Sequence, residues 1–174
     1  MNKKIKYAII GLISAVLILT IISFQIDREI IMPPTAILKI DGKEQISGIG
    51  SYCWMGFWKG FCADSVGIPT PDEPLSVSSP LTVHLSLPLK ESPQDLQINV
   101  IRVTEDDKIE SNLNGFFIWQ VKGENMQEVN YSNLTLKSES DIDLSIESGL
   151  YVLEVVPSWK EKGSVSYGFL LKVQ

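Results

Sequence analysis

Hydrophobic and polar residues alternate along most of the chain after residue 80. The alternation is clearest in residues 81–87, 96–100 and 165–173, where apolar side chains recur at every second position. Period-two patterning is typical of half-buried β-strands. Residues 151–156 are continuously apolar, as expected for a strand buried on both faces. Shorter strands are expected at 116–121, 134–136 and 142–146.

The region before residue 80 predicts a hairpin followed by irregular structure. Residues 36–40 and 43–46 read as two strands, and Asp41-Gly42 between them is a strong signal for a two-residue hairpin turn. Residues 68–80 contain four prolines, which lack the N–H that a strand donates to its neighbour. We therefore expect a loop or an edge segment there, and an all-β sandwich or barrel for the whole region.

The N-terminal pattern is different. Tyr7 to Phe24 is an 18-residue stretch without a charge. A helix of that length spans roughly 27 Å, close to the hydrocarbon thickness of a bilayer. We predict a cytoplasmic stub at residues 1–6 and a transmembrane signal anchor at 7–26, so that the lipid bilayer is the first expected partner.

Charges around the apolar stretch predict its orientation. Lys3, Lys4 and Lys6 precede it, whereas Asp27, Arg28 and Glu29 roughly cancel after it. The positive-inside rule then places the N-terminus in the cytoplasm and the domain outside, in a single-pass cell-membrane protein. The alternative is a cleaved signal peptide, but its apolar core is normally shorter and ends in a small-x-small site, which is not found near Gln25.

The charge balance of the remaining chain narrows the class of partner. After residue 26 there are 12 Lys or Arg and 21 Asp or Glu, a net charge of −9. Such an acidic domain is not expected to bind nucleic acid through its phosphates, and it would be repelled by anionic lipid head groups. We interpret the charge as a source of solubility.

Two cysteines and a group of aromatic residues lie close together in the sequence. Outside the cytoplasm Cys53 and Cys62 are expected to form a disulfide. The aromatic residues predict either a small core packed against the sandwich or an exposed contact loop for a protein, a cell-envelope polymer or the membrane surface. They are Trp54, Phe57, Trp58 and Phe61.

Two local patterns resemble known proteins. Tyr151, at the start of a strand, resembles the tyrosine corner of immunoglobulin-like sandwiches, although it could equally cover a strand end. Gly50-Ser51-Tyr52-Cys53-Trp54 followed by Cys62-Ala63-Asp64 resembles a motif, Gly-x-Tyr-Cys-Trp then Cys-x-Asp, of uncharacterised membrane-anchored cell-envelope proteins of Gram-positive bacteria. This resemblance implies surface display and a β-rich exodomain, and it implies no known activity.

Candidate chemistry is sparse. His84 is the only histidine and lies on the polar side of its predicted strand, so no histidine-based metal site or catalytic triad is expected. Asp141-x-Asp143 could contact calcium, but neither this pair nor Asp106-Asp107 has an EF-hand context, and solvated turns are expected. Two glycosylation sequons begin at Asn130 and Asn133. We predict no enzymatic activity, no cofactor and no metal.

The resulting hypothesis is an immunoglobulin-like β-sandwich behind a single N-terminal transmembrane helix. Residues 33–74 would form the hairpin and the disulfide-closed aromatic loop, and residues 75–174 the sandwich domain. The predicted function is a surface-displayed interaction or structural module, with an accessory subunit of a membrane complex as the alternative. Both require a protein or cell-envelope partner that the sequence does not specify.

Overall fold

A computed structural model describes residues 7, 9–20, 32–56, 59–109, 116–120, 126–128 (backbone only) and 137–174. The predicted strand at 134–136 and the two sequons lie outside these residues. The described strands form three sheets whose pairings are antiparallel except for that of β6 with β14, which confirms the prediction of a mostly β structure. The strands are β1 (Ile37–Ile40), β2 (Lys43–Ile46), β3 (Gly48–Met55), β4 (Gly60–Ala63), β5 (Ile68–Pro71), β6 (Leu75–Val77), β7 (Leu81–Ser86), β8 (Asp95–Val103), β9 (Lys108–Ile109), β10 (Phe116–Trp119), β11 (Met126–Glu128), β12 (Glu139–Leu144), β13 (Gly149–Trp159) and β14 (Gly163–Val173).

The apolar N-terminal region is helical over residues 9–20, and every described side chain in it is exposed to solvent. No helix within the described ranges is long and apolar enough to cross a membrane. The predicted span of 7–26 also includes residues that lie outside those ranges.

Two of the sheets face each other across the main hydrophobic core. The four-stranded sheet has the order β12-β7-β1-β2, and the seven-stranded sheet has the order β11-β8-β13-β14-β3-β4, with β6 added parallel to β14. Inward side chains of both sheets form one buried cluster, including Leu38, Val83, Leu153 and Phe169. The hairpin predicted at Asp41-Gly42 is confirmed, and both turn residues have positive φ, 50° and 76°.

A third layer covers the opposite face of the seven-stranded sheet. It is the three-stranded sheet β5-β10-β9, and a second buried cluster that includes Ile68, Trp119 and Leu170 fills the space between the layers. Gly48 and Gly168 permit the close approach of β5, because a Cβ at either position would collide with the carbonyl oxygen of Pro69. The proline-rich segment therefore provides an edge strand, in agreement with the expectation from its composition.

Strands from both sides of residue 74 share these sheets. β1 pairs with β7, β3 pairs with β14, and β5 pairs with β10. The segment before residue 74 therefore contributes to all three layers.

The side chain of Gln45 joins the two large sheets. Its Oε1 accepts a hydrogen bond from the N–H of Leu170 at 2.9 Å, and its Nε2 donates to the carbonyl oxygens of Leu170 at 3.2 Å and Glu73 at 2.9 Å. Leu170 lies between the part of β14 that pairs with β3 and the part that pairs with β6. The amide of Gln45 thus takes the place of a strand neighbour at a buried position.

Replacing Gln45 with Leu should lower the free energy of unfolding by about 2–5 kcal/mol, because two buried backbone groups of Leu170 lose their partner. Chemical denaturation followed by tryptophan fluorescence would measure this change. The matched control is Glu44→Gln, which removes only the exposed ion pair with Lys39 and should change stability by less than about 1 kcal/mol. Equal effects of the two substitutions would show that the Gln45 amide has no special structural role.

Candidate functional site

The β3–β4 hairpin contains the predicted disulfide and forms one edge of the seven-stranded sheet. Strand β3 pairs with β14 as far as Trp54, which lies opposite Gly163 at the start of β14. β4 pairs with the last four residues of β3, Tyr52 to Met55. All four residues of β4 are exposed. The hairpin therefore presents its outer strand to solvent, as an edge strand does in the absence of a covering element.

The disulfide between Cys53 and Cys62 is present, as the sequence predicted. The two residues lie directly opposite each other in the pairing of β3 with β4, and both are exposed. A covalent link between directly opposed residues fixes the register of a hairpin, because a one-residue slip would separate them. The disulfide thus holds β4 in place at an edge where few other contacts do so.

Trp54 belongs to the hydrophobic core. It is 4% exposed, and its ring meets that of Trp159 edge to face with centroids 5.9 Å apart. The indole N–H of Trp159 donates to the carbonyl oxygen of Glu91 at 3.0 Å. Of the two roles that the sequence suggested for the aromatic group, Trp54 has the structural one, and we do not include it in a contact surface.

Among the described residues of the hairpin, Met55 and Phe61 are large apolar side chains that are exposed, with 50% and 37% of their surface accessible. They border a cleft of about 210 Å³ between this hairpin and the neighbouring turn at residues 160–162. A hydrogen bond of 2.8 Å from the N–H of Met55 to the carbonyl oxygen of Lys162 joins the β3–β4 hairpin to this turn, which connects β13 and β14. Phe57 and Trp58 lie outside the described residues.

We name this region the tip surface and define it by its described exposed or half-exposed side chains. Besides the disulfide, they are Met55, Lys59, Phe61, Lys160, Glu161 and Lys162. Sequence reasoning identified Phe61 but missed Met55 and the two lysines of the distant turn. Only the pairing of β3 with β14 brings residue 55 next to residue 162, which is remote in the sequence.

The polar residues singled out from the sequence occupy the outer face of the four-stranded sheet. His84 Nδ1 lies 2.7 Å from Asp141 Oδ1, and the hydroxyl of Thr82 donates to Asp143 Oδ1 at 2.7 Å. The prediction of solvated turns for the two aspartates is wrong, because both lie on β12 directly opposite β7. Exposed pairs of this kind contribute little to stability.

Asp107 also departs from the prediction of a solvated turn. It closes a short 3₁₀ helix, Glu105–Asp107, and is 7% exposed. Its Oδ2 accepts hydrogen bonds from the backbone N–H and the hydroxyl of Thr104, at 2.9 and 2.8 Å. The carboxylate caps the turn, which explains why it tolerates burial.

A second, larger cleft of about 560 Å³ lies beside β2, and Glu44, Asp72 and Glu73 border it around Ile46 and Leu75. Within the described ranges no group of three or more His, Cys, Asp or Glu side chains is placed to hold a metal ion. One carboxylate of this cleft, Glu44, is already paired with Lys39 at 2.6 Å.

No protein-family model, no curated protein and no solved structure matches this chain.

Replacing Trp54 with Ala should lower the free energy of unfolding by roughly 3–5 kcal/mol, as removal of a large core ring does. Phe61→Ala in the same hairpin should lower it by less than about 1 kcal/mol, because the ring is partly exposed. Thermal or urea unfolding of the two variants measures both changes. A loss at Phe61 as large as that at Trp54 would show that the tip surface is part of the core.

The native protein should contain no free thiol before reduction. Alkylation under denaturing conditions, followed by mass spectrometry, would detect labelled Cys53 or Cys62. Reduction should lower stability by about 2–3 kcal/mol if loop closure in the unfolded chain is the main effect. Labelling of both cysteines without reductant would contradict the disulfide.

Proposed function

We propose that the chain is a membrane-anchored, extracytoplasmic β-sandwich that acts as a non-enzymatic interaction or structural module on the cell surface. The main support is the apolar surface of the N-terminal helix. Leu12 is 68% exposed and Leu19 is 63% exposed, and no described residue of this helix is buried. Contiguous apolar surface of this kind marks a segment that is covered by lipid or by another protein.

The sequence around that helix favours lipid as the cover. The uncharged stretch from Tyr7 to Phe24 has about the length that a bilayer requires. Lysines at positions 3, 4 and 6 support an N-terminus in the cytoplasm. The domain, with its net charge of −9, would then lie on the opposite side of the membrane.

The order of strands supports an immunoglobulin-like sandwich. In immunoglobulin domains strands A, B and E share one sheet, and C, F and G share the other. Here β1, β7 and β12 are neighbours in the four-stranded sheet, and β8, β13 and β14 are neighbours in the seven-stranded sheet. The third layer and the β3–β4 hairpin are additions to this arrangement.

The exposed hairpin supports a role in contact. An edge strand without a covering element and the apolar side chains of the tip surface are features on which a partner can dock. The surface also includes lysines in an otherwise acidic domain.

Membrane anchoring predicts that the full chain stays in the membrane fraction after alkaline carbonate extraction, with its first residues intact. The variant Leu12→Lys/Leu17→Lys should be released, because each lysine near the centre of a span opposes insertion by about 2.5–3.5 kcal/mol. Met32→Lys, at an exposed position after the apolar stretch, should behave like the unmodified chain.

Two outcomes would contradict this proposal. A mature protein that begins near Gln25 would show a cleaved signal peptide, and extraction of the unmodified chain by carbonate would show a peripheral association.

Protease added to intact cells should degrade the domain. Stable, stoichiometric copurification with other membrane proteins would favour the accessory-subunit alternative over a free surface module.

A further inference from the structure

Three parts of the chain meet at one end of the sandwich: the connection after β7, the turn at residues 160–162 and the tip of the β3–β4 hairpin. β1 begins beside Ser86, the last residue of β7. The connection that follows β7 leads to Asp95, which pairs with Ser158 near the end of β13. The turn at residues 160–162 comes next, and the tip of the β3–β4 hairpin lies beside that turn. β1 begins beside the start of β3, where the N–H of Ser47 donates to the carbonyl oxygen of Ala36, and runs toward β6, where Lys43 donates to the carbonyl oxygen of Ser76. β6 pairs with the end of β14 that is remote from the tip surface, so the chain enters the domain from the side of the tip surface.

The entry of the chain into the domain is held over the middle of β14, where Tyr167 pairs with Ile49 of β3. The hydroxyl of Tyr167 donates to the carbonyl oxygen of Pro34 at 2.9 Å, and Tyr167 itself is fully buried in the core. Burial raises the pKa of this hydroxyl well above its ordinary value, so that it remains a donor at any physiological pH. Only six residues separate position 26 from Pro33, and they reach at most about 20 Å in any conformation.

If the chain is anchored as proposed, the end that contains the tip surface faces the membrane. β8 runs from this end of the domain to the other, where it leads into the 3₁₀ helix at Glu105–Asp107. The two ends are therefore separated by the nine residues of β8. That length corresponds to about 30 Å. The connection between the anchor and Pro33 is short, and the far end of the domain is about 30 Å further away. The tip surface is therefore the part of the domain close to the lipid.

The end that faces the membrane in this arrangement is less acidic than the rest of the domain. The segments at this end, residues 55–60, 87–95 and 160–162, contribute four lysines and three carboxylates, whereas the chain after residue 26 has 12 basic and 21 acidic residues. The repulsion from anionic lipid expected for the domain as a whole therefore does not apply to this end. These lysines are Lys59, Lys90, Lys160 and Lys162, and the carboxylates are those of Glu91, Asp95 and Glu161.

We propose that the tip surface rests on the outer surface of the membrane in which the chain is anchored. Met55 and Phe61 enter the head-group region, and Lys59 and Lys160 contact anionic lipid phosphates. Apolar side chains flanked by lysines are the usual composition of surfaces that lie at this interface. This inference rests on the proposed anchoring and adds a second, weaker attachment that holds the domain against the bilayer.

The test uses the full chain in nanodiscs of phosphatidylcholine and phosphatidylglycerol, one copy per disc. Phe61→Trp introduces a fluorophore at the tip, and lipids brominated near the head group quench only tryptophans within a short distance. Val66→Trp is the matched control. Val66 is 82% exposed and lies further along the same edge, where the N–H of Ser65 donates to the hydroxyl of Ser51.

Relative to the unmodified chain, the added fluorescence of Phe61→Trp should be lost in brominated discs, and that of Val66→Trp should persist. The loss should be smaller in discs of phosphatidylcholine alone and in the variant that also has Lys59→Glu and Lys160→Glu. Lys172→Glu, at the other end of β14, should leave the loss unchanged. Met55→Trp provides a second probe if Phe61→Trp does not fold.

Three results would overturn the proposal, and they have different meanings. Persistent fluorescence of Phe61→Trp in discs that retain the chain after carbonate treatment would reject the contact and leave the anchor valid. Protection of the same residue from aqueous iodide without quenching by brominated lipid would show that another protein surface covers the tip. Loss of the chain from the discs would reject the anchoring on which the inference depends.

Discussion

The rest of the structure depends on the pairing of β14, a strand that is buried for nearly its whole length. One side of it pairs with β13 over the full strand, and the other side needs several partners in turn. β3 pairs with its first part, β6 with its last part, and the amide of Gln45 with Leu170 in between. Because an unpaired backbone group in such a position would be costly, these elements must come together for the core to close.

Both faces of the seven-stranded sheet are covered by other layers, so neither face is open to a partner. One face is covered by the four-stranded sheet, and the other by β5 and its neighbours, with Trp119 anchored through its N–H to the hydroxyl of Thr70 at 2.8 Å. The outer face of the four-stranded sheet has charged side chains that pair with one another, such as Lys39 with Glu44. The exposed large apolar side chains of the described domain lie outside these covered faces, at Met32, Ile46, Met55, Phe61, Val66 and Ile109.

Sequence patterns predicted correctly those strands and turns whose conformation depends on neighbouring residues. The period-two alternation placed β7, β8 and β14, and Asp41-Gly42 placed the first turn, because each depends on a few neighbouring residues. The disulfide followed from having only two cysteines. The aromatic group was ambiguous, because the fate of a ring depends on what lies opposite it, and for Trp54 that neighbour is Trp159, over a hundred residues away.

The sequence by itself determined the β class, the first hairpin and the cysteine pair, since strand periodicity, turn conformation and thiol count are properties of short segments. Only the tertiary structure decided that the proline-rich segment forms an edge strand over Gly48 and Gly168, that Gln45 substitutes for a strand neighbour, and that Met55 lies beside Lys162. These outcomes depend on long-range pairing. The free energy of such pairing comes from surfaces buried between distant segments, and no local pattern records which segments those are.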